Sequence, residues 1–286
     1  MAPEELVEDI DKLVSLPEVF IQVNQMMEQP NCSAAKLAEI ISTDVDISAR
    51  LLKLVNSPFY GLRSQVDTIS RAVTIAGTHE LQNLVLATTA VRSFTGIPES
   101  LVNMDDYWRH AVTTGVMSQM LARQSNALHS ERLFVAGMLH DVGRLVIYLT
   151  LPDQAIEIME ITSGDEWILA EVEQQVLGFN HMDVGAALMK SWHLPESLIS
   201  VAKNHHRPTH ATEAKIDVAI VHIALAIARG EMSGLSMEEM LWAIEPYVWD
   251  ATGLNPDNVS PHIDEMLRMS LKTMDMILAP TTRKRA

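Results

Sequence analysis

The stretch Phe134-Val135-Ala136-Gly137-Met138-Leu139-His140-Asp141-Val142-Gly143-Arg144-Leu145-Val146 decides how this chain is read. Its apolar residues fall on every side of a helix, which predicts a buried core helix from about Ser130 to Leu149. Two features are costly in such a helix. Gly137 and Gly143 each lower helix stability by about 1 kcal/mol relative to alanine. The adjacent His140 and Asp141 lose hydration on burial unless a partner or a metal compensates. Close helix packing at the glycines and a ligand at the His-Asp pair would account for both.

Outward from this segment the pattern stays helical. A long helix fits Met104 to Gln124, and others fit Glu166 to Leu177, Met182 to Trp192, Pro195 to Asn204 and Lys215 to Arg229. An amphipathic group follows, ending near Leu278. In the first third, Leu16-Pro17-Glu18 opens a helix, Ser33 and Asp44 or Asp46 stand as N-caps, and Gly77 closes a helix from Thr68 to Ala76. Asn56-Ser57-Pro58 must stop the helix before it, because proline restricts the preceding residue and cannot extend the ladder. Strand-like alternation is absent, so the fold class is all-α. The break at Gly96-Ile97-Pro98 divides the expected architecture. An N-terminal helical lobe covers 1–96, a second helical lobe 97–230, and a C-terminal helical extension with a basic tail 231–286.

Composition narrows the function classes. Apolar residues make up 48% and aromatics 5%, so the core is aliphatic. Lys plus Arg is 21 against 37 Asp plus Glu, a formal charge of −16, which disfavours general nucleic-acid and membrane binding. It favours a protein partner that offers a basic or apolar patch. The basic cluster Arg283-Lys284-Arg285 reads as a solvated tail. Cys32 is the single cysteine, which rules out an intrachain disulfide. The acidic N-terminus does not read as a signal peptide, and the apolar runs read as shorter than the roughly eighteen residues of a span. A cytoplasmic protein is expected, and the methionine-rich helix from Glu265 to Leu278 is a candidate contact for a homodimer.

Further histidines lie on both sides of the His-Asp pair: His110 before it, and His181 and the adjacent His205 and His206 after it. Imidazoles with a carboxylate and no thiolate suit iron, zinc or manganese, and such sites can make a bound hydroxide for phosphoester hydrolysis. A lone histidine is ordinarily a hydrogen-bonded core or surface residue. Together, His110, His140, Asp141, His181, His205 and His206 form a candidate metal-ligand set, with Asp141 the candidate catalytic carboxylate.

At these residues the sequence resembles a family. Ala136-Gly137-Met138-Leu139-His140-Asp141-Val142-Gly143-Arg144 looks like the HD signature of metal-dependent phosphohydrolases. The whole chain is similar to HDOD proteins, the HD-related output domains of bacterial signalling. The resemblance is carried by Leu16-Pro17, Ile40 to Asp44, Leu51 to Pro58, Tyr107 to His110, Gly178 to Gly185, Trp192 to Pro195 and His205 to Pro208, within roughly residues 13 to 230. It implies that His110 is the first histidine of the HD pattern and that His140 and Asp141 are its central pair. His181, His205 and His206 match extra histidines of the related HD-GYP phosphodiesterases, which cleave cyclic di-GMP. The pattern closes with an aspartate on a later helix; here Leu225 takes that place, and the Gly-Tyr-Pro triad is missing after His206. Glu173 would compensate for the lost carboxylate if its helix faced the pocket, although a solvated face is the ordinary expectation. Arg144 suits either a phosphate or an i, i+3 pairing with Asp141.

Two readings follow. The first is a non-catalytic signal-transduction module that binds a protein partner or a small nucleotide ligand. The second is a metal-dependent phosphohydrolase or phosphodiesterase acting on a nucleotide or cyclic dinucleotide.

Overall fold

Every regular element is helical among the residues that the computed structural model describes (2–10, 17–57, 60–62, 65–94, 96–125, 127, 130, 132–242 and 244–278). In chain order these are α1 (Pro3–Ile10), α2 (Glu18–Met27), α3 (Ala34–Ser42), α4 (Val45–Val55), α5 (Ile69–Ala76), α6 (Thr78–Ser93), α7 (Met104–Gln124), α8 (Arg132–Leu139), α9 (Val142–Thr150), α10 (Pro152–Thr162), α11 (Leu169–Leu177), α12 (His181–Ser191), α13 (Glu196–Asn204), α14 (Lys215–Met232), α15 (Met237–Trp242), α16 (Pro246–Thr252), α17 (Pro256–Val259) and α18 (Ile263–Leu278).

The helices group into two units, both discontinuous in sequence: residues 1–15 with 94–262, and residues 16–93 with 263–286. The cut after Ser93 lies close to the expected boundary at 96/97, but the membership differs at both ends. Helix α1 buries Leu6, Val7 and Ile10 and packs on α9 and α12, so it belongs to the larger unit. The extension expected over 231–286 is divided: α15 to α17 stay with the larger unit, and α18 packs on α4 in the smaller.

Local rules set the helix ends of the smaller unit. Asp44 Oδ1 accepts from the amides of Asp46 (2.9 Å) and Ile47 (3.0 Å), and Ser33 Oγ accepts from Lys36 N, so both N-cap helices as expected. Gly77 closes α5 at φ +92°, where a Cβ would be strained. Asn56 holds the turn after α4: its amide donates to the carbonyls of Leu52 and Val66, and its Oδ1 accepts from Val66 N, each at 2.7 Å. Pro58 and the basic cluster at 283–285 lie outside the described residues.

In the larger unit the glycines mark helix contacts. A Cβ on Gly115 would stand 2.5 Å from the Phe134 carbonyl oxygen, and one on Gly137 2.8 Å from that of Thr114. Bare backbone at these positions lets α7 and α8 lie against each other. Gly143 does the same for α9 and α12, with the His181 carbonyl oxygen 2.0 Å from where its Cβ would be.

The deciding segment is not one helix. It is α8 and α9, with His140 and Asp141 in the turn between them. In a continuous helix adjacent side chains diverge by about 100°. Asp141 instead has φ −98°, ψ 10°, and the turn brings its carboxylate and the His140 imidazole to one place. The span Arg132–Thr150 is longer than expected from the apolar runs and meets the length and composition of a membrane-crossing segment, but 83% of it is buried inside the fold.

Candidate metal centre

Four structural elements deliver the candidate ligands. His110 comes from the first half of α7, His140 and Asp141 from the α8–α9 turn, His181 from the first residue of α12, and His205 and His206 from the end of α13. Helix α12 starts where it does because of a capping box. Asn180 Oδ1 accepts from the amides of Met182 (3.1 Å) and Asp183 (3.2 Å), and Asp183 Oδ2 accepts from Asn180 N (3.1 Å). Asn180→Ala is therefore expected to cost about 1 kcal/mol in urea unfolding.

Three imidazoles are oriented from behind. His140 Nδ1 donates to the Gly137 carbonyl at 2.6 Å, and His205 Nδ1 faces the carbonyls of Val201 (3.2 Å) and Ala202 (3.0 Å). His181 Nδ1 meets Glu173 Oε2 at 2.6 Å, and the same oxygen accepts from the His181 amide at 2.8 Å. With each Nδ1 engaged as a donor, each ring in its neutral form turns the Nε2 lone pair inward. Those three Nε2 atoms and Asp141 Oδ1 are buried without a hydrogen-bond partner.

Asp141 stands between them. Its Oδ1 is 3.4 Å from Nε2 of both His181 and His205, and its Oδ2 is 3.4 Å from His140 Nε2. These gaps are long for a charge-assisted hydrogen bond. They match the roughly 3.4 Å between two ligands that each sit about 2.1 Å from a tetrahedral ion. Donor atoms of Asp141, His181, His205 and His206 lie within 4.8 Å of one another, as do those of His110, His140 and Asp141. All six sequence candidates thus come together, in two groups that share Asp141. The orphaned lone pairs, the neutral nitrogen donors and the single carboxylate fit a divalent transition metal.

Electrostatics prepares the same state at three imidazoles and opposes it at His181, where burial is outweighed by the Glu173 carboxylate, which raises the ring's pKa. Burial, reinforced by the neighbouring His140, holds His110 well below the usual imidazole range, and burial with His205 does so for His206. Burial, together with His140, lowers His205 to about 3. These rings are neutral near pH 7, the form that binds metal. Burial alone would push the Asp141 carboxyl up, but His140, His205 and His181 outweigh it and hold it well below the usual carboxylate range.

The residues around the ligands take places that the sequence left open. Glu173 is buried, not on a solvated face, and serves His181 from behind instead of replacing the lost carboxylate. His222 on α14 directs Nδ1 to the His205 carbonyl at 2.8 Å and so fixes the end of α13; its place in the apolar run Val221 to Ala228 gave no polar signal. Leu225 is buried on α14 as the candidate replacement for the closing aspartate, and Arg229 follows one turn later. Arg144 lies 3.4 Å from Asp141 Oδ2, but it also binds Glu166 with both guanidinium nitrogens, at 2.8 and 3.0 Å.

An all-helical fold that gathers imidazoles around a His-Asp turn defines a protein of the HD type. Residues 13–208 match the HDOD domain family, and the chain belongs to it. An uncharacterised protein of Treponema pallidum (strain Nichols) is 30% identical over 206 residues, 71% of this chain but 39% of that relative, so the chain spans about two fifths of its length. Two solved structures share the fold. One, from Shewanella amazonensis SB2B and provisionally named a phosphohydrolase, has a TM-score of 0.77 at 22% identity, covering 95% of this chain and 97% of that one. The other, an HDOD domain protein of unknown function from Geobacter sulfurreducens, has a TM-score of 0.74 at 18% identity, covering 97% and 98%.

Proposed function

We propose that this chain is a regulatory module whose His/Asp centre holds a divalent iron, zinc or manganese ion for structure, and whose signal is the binding of a ligand or protein partner to the larger unit. The observation that carries this reading is the composition of the ligand set. Among the described residues, the two converging groups contain one carboxylate, Asp141, and the place of the closing HD aspartate is taken by Leu225. One carboxylate leaves a dication only partly balanced, and the nearby Arg229 guanidinium adds positive charge that depresses both His110 and His206. That environment disfavours a second ion.

His181, His205, His206 and Asp141 would hold one ion, with His110 and His140 on the other side of Asp141. Bound there, a divalent ion supplies a Lewis acid and a water of lowered pKa. The chain's own residues orient the ligands: Glu173 and the carbonyls of Gly137, Val201 and Ala202 fix the imidazole tautomers, and burial excludes bulk water.

A metal-dependent phosphohydrolase is the second reading, favoured by the way Asp141 presents one oxygen to each ligand group, as in two-metal sites. The name carried by the Shewanella protein points the same way. Metal content by mass spectrometry, on untagged protein purified without chelator, tests the centre. Near-stoichiometric iron, zinc or manganese is expected, with no hydrolysis of bis(p-nitrophenyl) phosphate above a chelated control. Turnover that follows metal loading would replace the first reading with the second. Metal-free protein that is folded and indifferent to chelation would overturn both.

A further inference from the structure

Beside the centre, and entirely within the larger unit, lies a pocket of about 350 Å³. Tyr107, His110, Arg144, Glu166, Arg229 and Met232 line it. His110 belongs also to the ligand groups, so the pocket opens directly onto the centre. Its volume is at the lower end of ligand pockets, which run about 300–1,000 Å³, and suits one compact molecule.

Two arginines from different helices meet there. The Arg144 side chain is 15% exposed and that of Arg229 7%. Burying two guanidinium groups side by side is unfavourable unless an anion sits between them. The anion on the pocket side is the Glu166 carboxylate: bidentate to Arg144, 3.8 Å from Arg229 Nη2, and itself 39% exposed, while on the side of the centre the buried Asp141 faces Arg144 at 3.4 Å. It comes from the connection between α10 and α11, where Ser163 and Gly164 both have positive φ. The next residue, Trp167, is 51% exposed, and the Arg229 guanidinium lies 5.3 Å from its ring centroid.

A second, independent feature points to a ligand. Tyr107 is 7% exposed, lines the pocket, and its hydroxyl is buried with no hydrogen-bond partner. A buried hydroxyl left unmatched costs free energy that a bound acceptor would recover. Two forked cations and a free hydroxyl donor on one small cavity are the recognition chemistry of a phosphoryl group.

We propose that Arg144, Arg229 and Tyr107 form a phosphomonoester seat and that Glu166 is its resident competitor, displaced when the ligand enters. This rests on the reading of the centre as part of a ligand-binding regulatory site. Displacement gives that site an output: Glu166 leaves the arginines, and the connection that carries it and Trp167 is released. Binding at the seat uses this chain's own donors and does not require the metal.

Calorimetric titration of the intact protein with inorganic phosphate and with AMP, at constant ionic strength, tests this. The titration is run before and after chelation, beside Glu166→Gln and Arg229→Gln. Glu166→Gln removes the competing charge and is expected to tighten phosphate by about tenfold, while Arg229→Gln weakens it by at least about tenfold. A structural role for Glu166 predicts the opposite sign, so unchanged or weaker binding by Glu166→Gln overturns the proposal. So does the absence of phosphate and AMP binding in every form. Binding abolished by chelation in both wild type and Glu166→Gln also overturns it, because the metal would then be the anion's host; that outcome leaves the metal reading standing.

Discussion

Gly143→Ala is expected to cost more than about 3 kcal/mol in urea unfolding, and any folded fraction is expected to have lost metal. The added methyl would stand 2.0 Å from the His181 carbonyl oxygen and 2.5 Å from Gly185 N. Both are backbone atoms inside packed helices, so neither can swing aside as a side-chain tip would. Relief requires α9 and α12 to separate, and overpacking of this kind removes a large share of a domain's stability of about 5–15 kcal/mol. The helix that must move begins at His181, so stability and ligation fail together. Gly178→Ala is the matched control. It sits at φ +84° with nothing within 4 Å of a Cβ, so it carries only the left-handed penalty of about 1–2 kcal/mol. A Gly143→Ala protein within about 1 kcal/mol of wild type would disprove the close approach.

The second large effect is at Asp141. Asp141→Ala removes the carboxylate that both ligand groups share. Metal affinity is expected to fall by well over a hundredfold, with no stoichiometric ion after dialysis. Glu173→Gln keeps all six ligands and removes only the charge behind His181. Changes to such supporting residues cost about 10–100-fold. The ordering of the two variants in a competition titration with a chromophoric chelator is the test. Equal losses would mean that Glu173 is itself a ligand, and no loss in Asp141→Ala would move the metal elsewhere.

Much of this was legible in the residues, and what was not has physical reasons. Helix α7 runs over the residues its periodicity marks, and Ser33, Asp44 and Gly77 end helices through chemistry that acts within a few positions. The break at His140-Asp141 was hidden because apolar side chains flank it on both sides, and burial patterning does not register a two-residue turn. Glu166 and Arg229 were passed over, and Glu173 was expected on a solvated face, for a related reason. A charged residue on a helix or loop ordinarily faces water, and only the fold reveals a partner 8, 22 or 63 positions away. The amphipathic patterns of α1 and α18 likewise show that one face is buried without showing what it is buried against.

The discontinuity of the two units bears on how the chain is made. Helix α1 leaves the ribosome long before α9 and α12, the helices that cover Leu6, Val7 and Ile10. The smaller unit waits in turn for α18, the last helix described, whose Ile277 carbonyl receives the Arg50 guanidinium. Neither unit can finish during synthesis of the other, and such sequence-distant contacts slow folding. Nascent chains are therefore expected to carry open apolar faces until α18 has been synthesised, which makes them clients for chaperones. No single cut in the chain would release either unit whole.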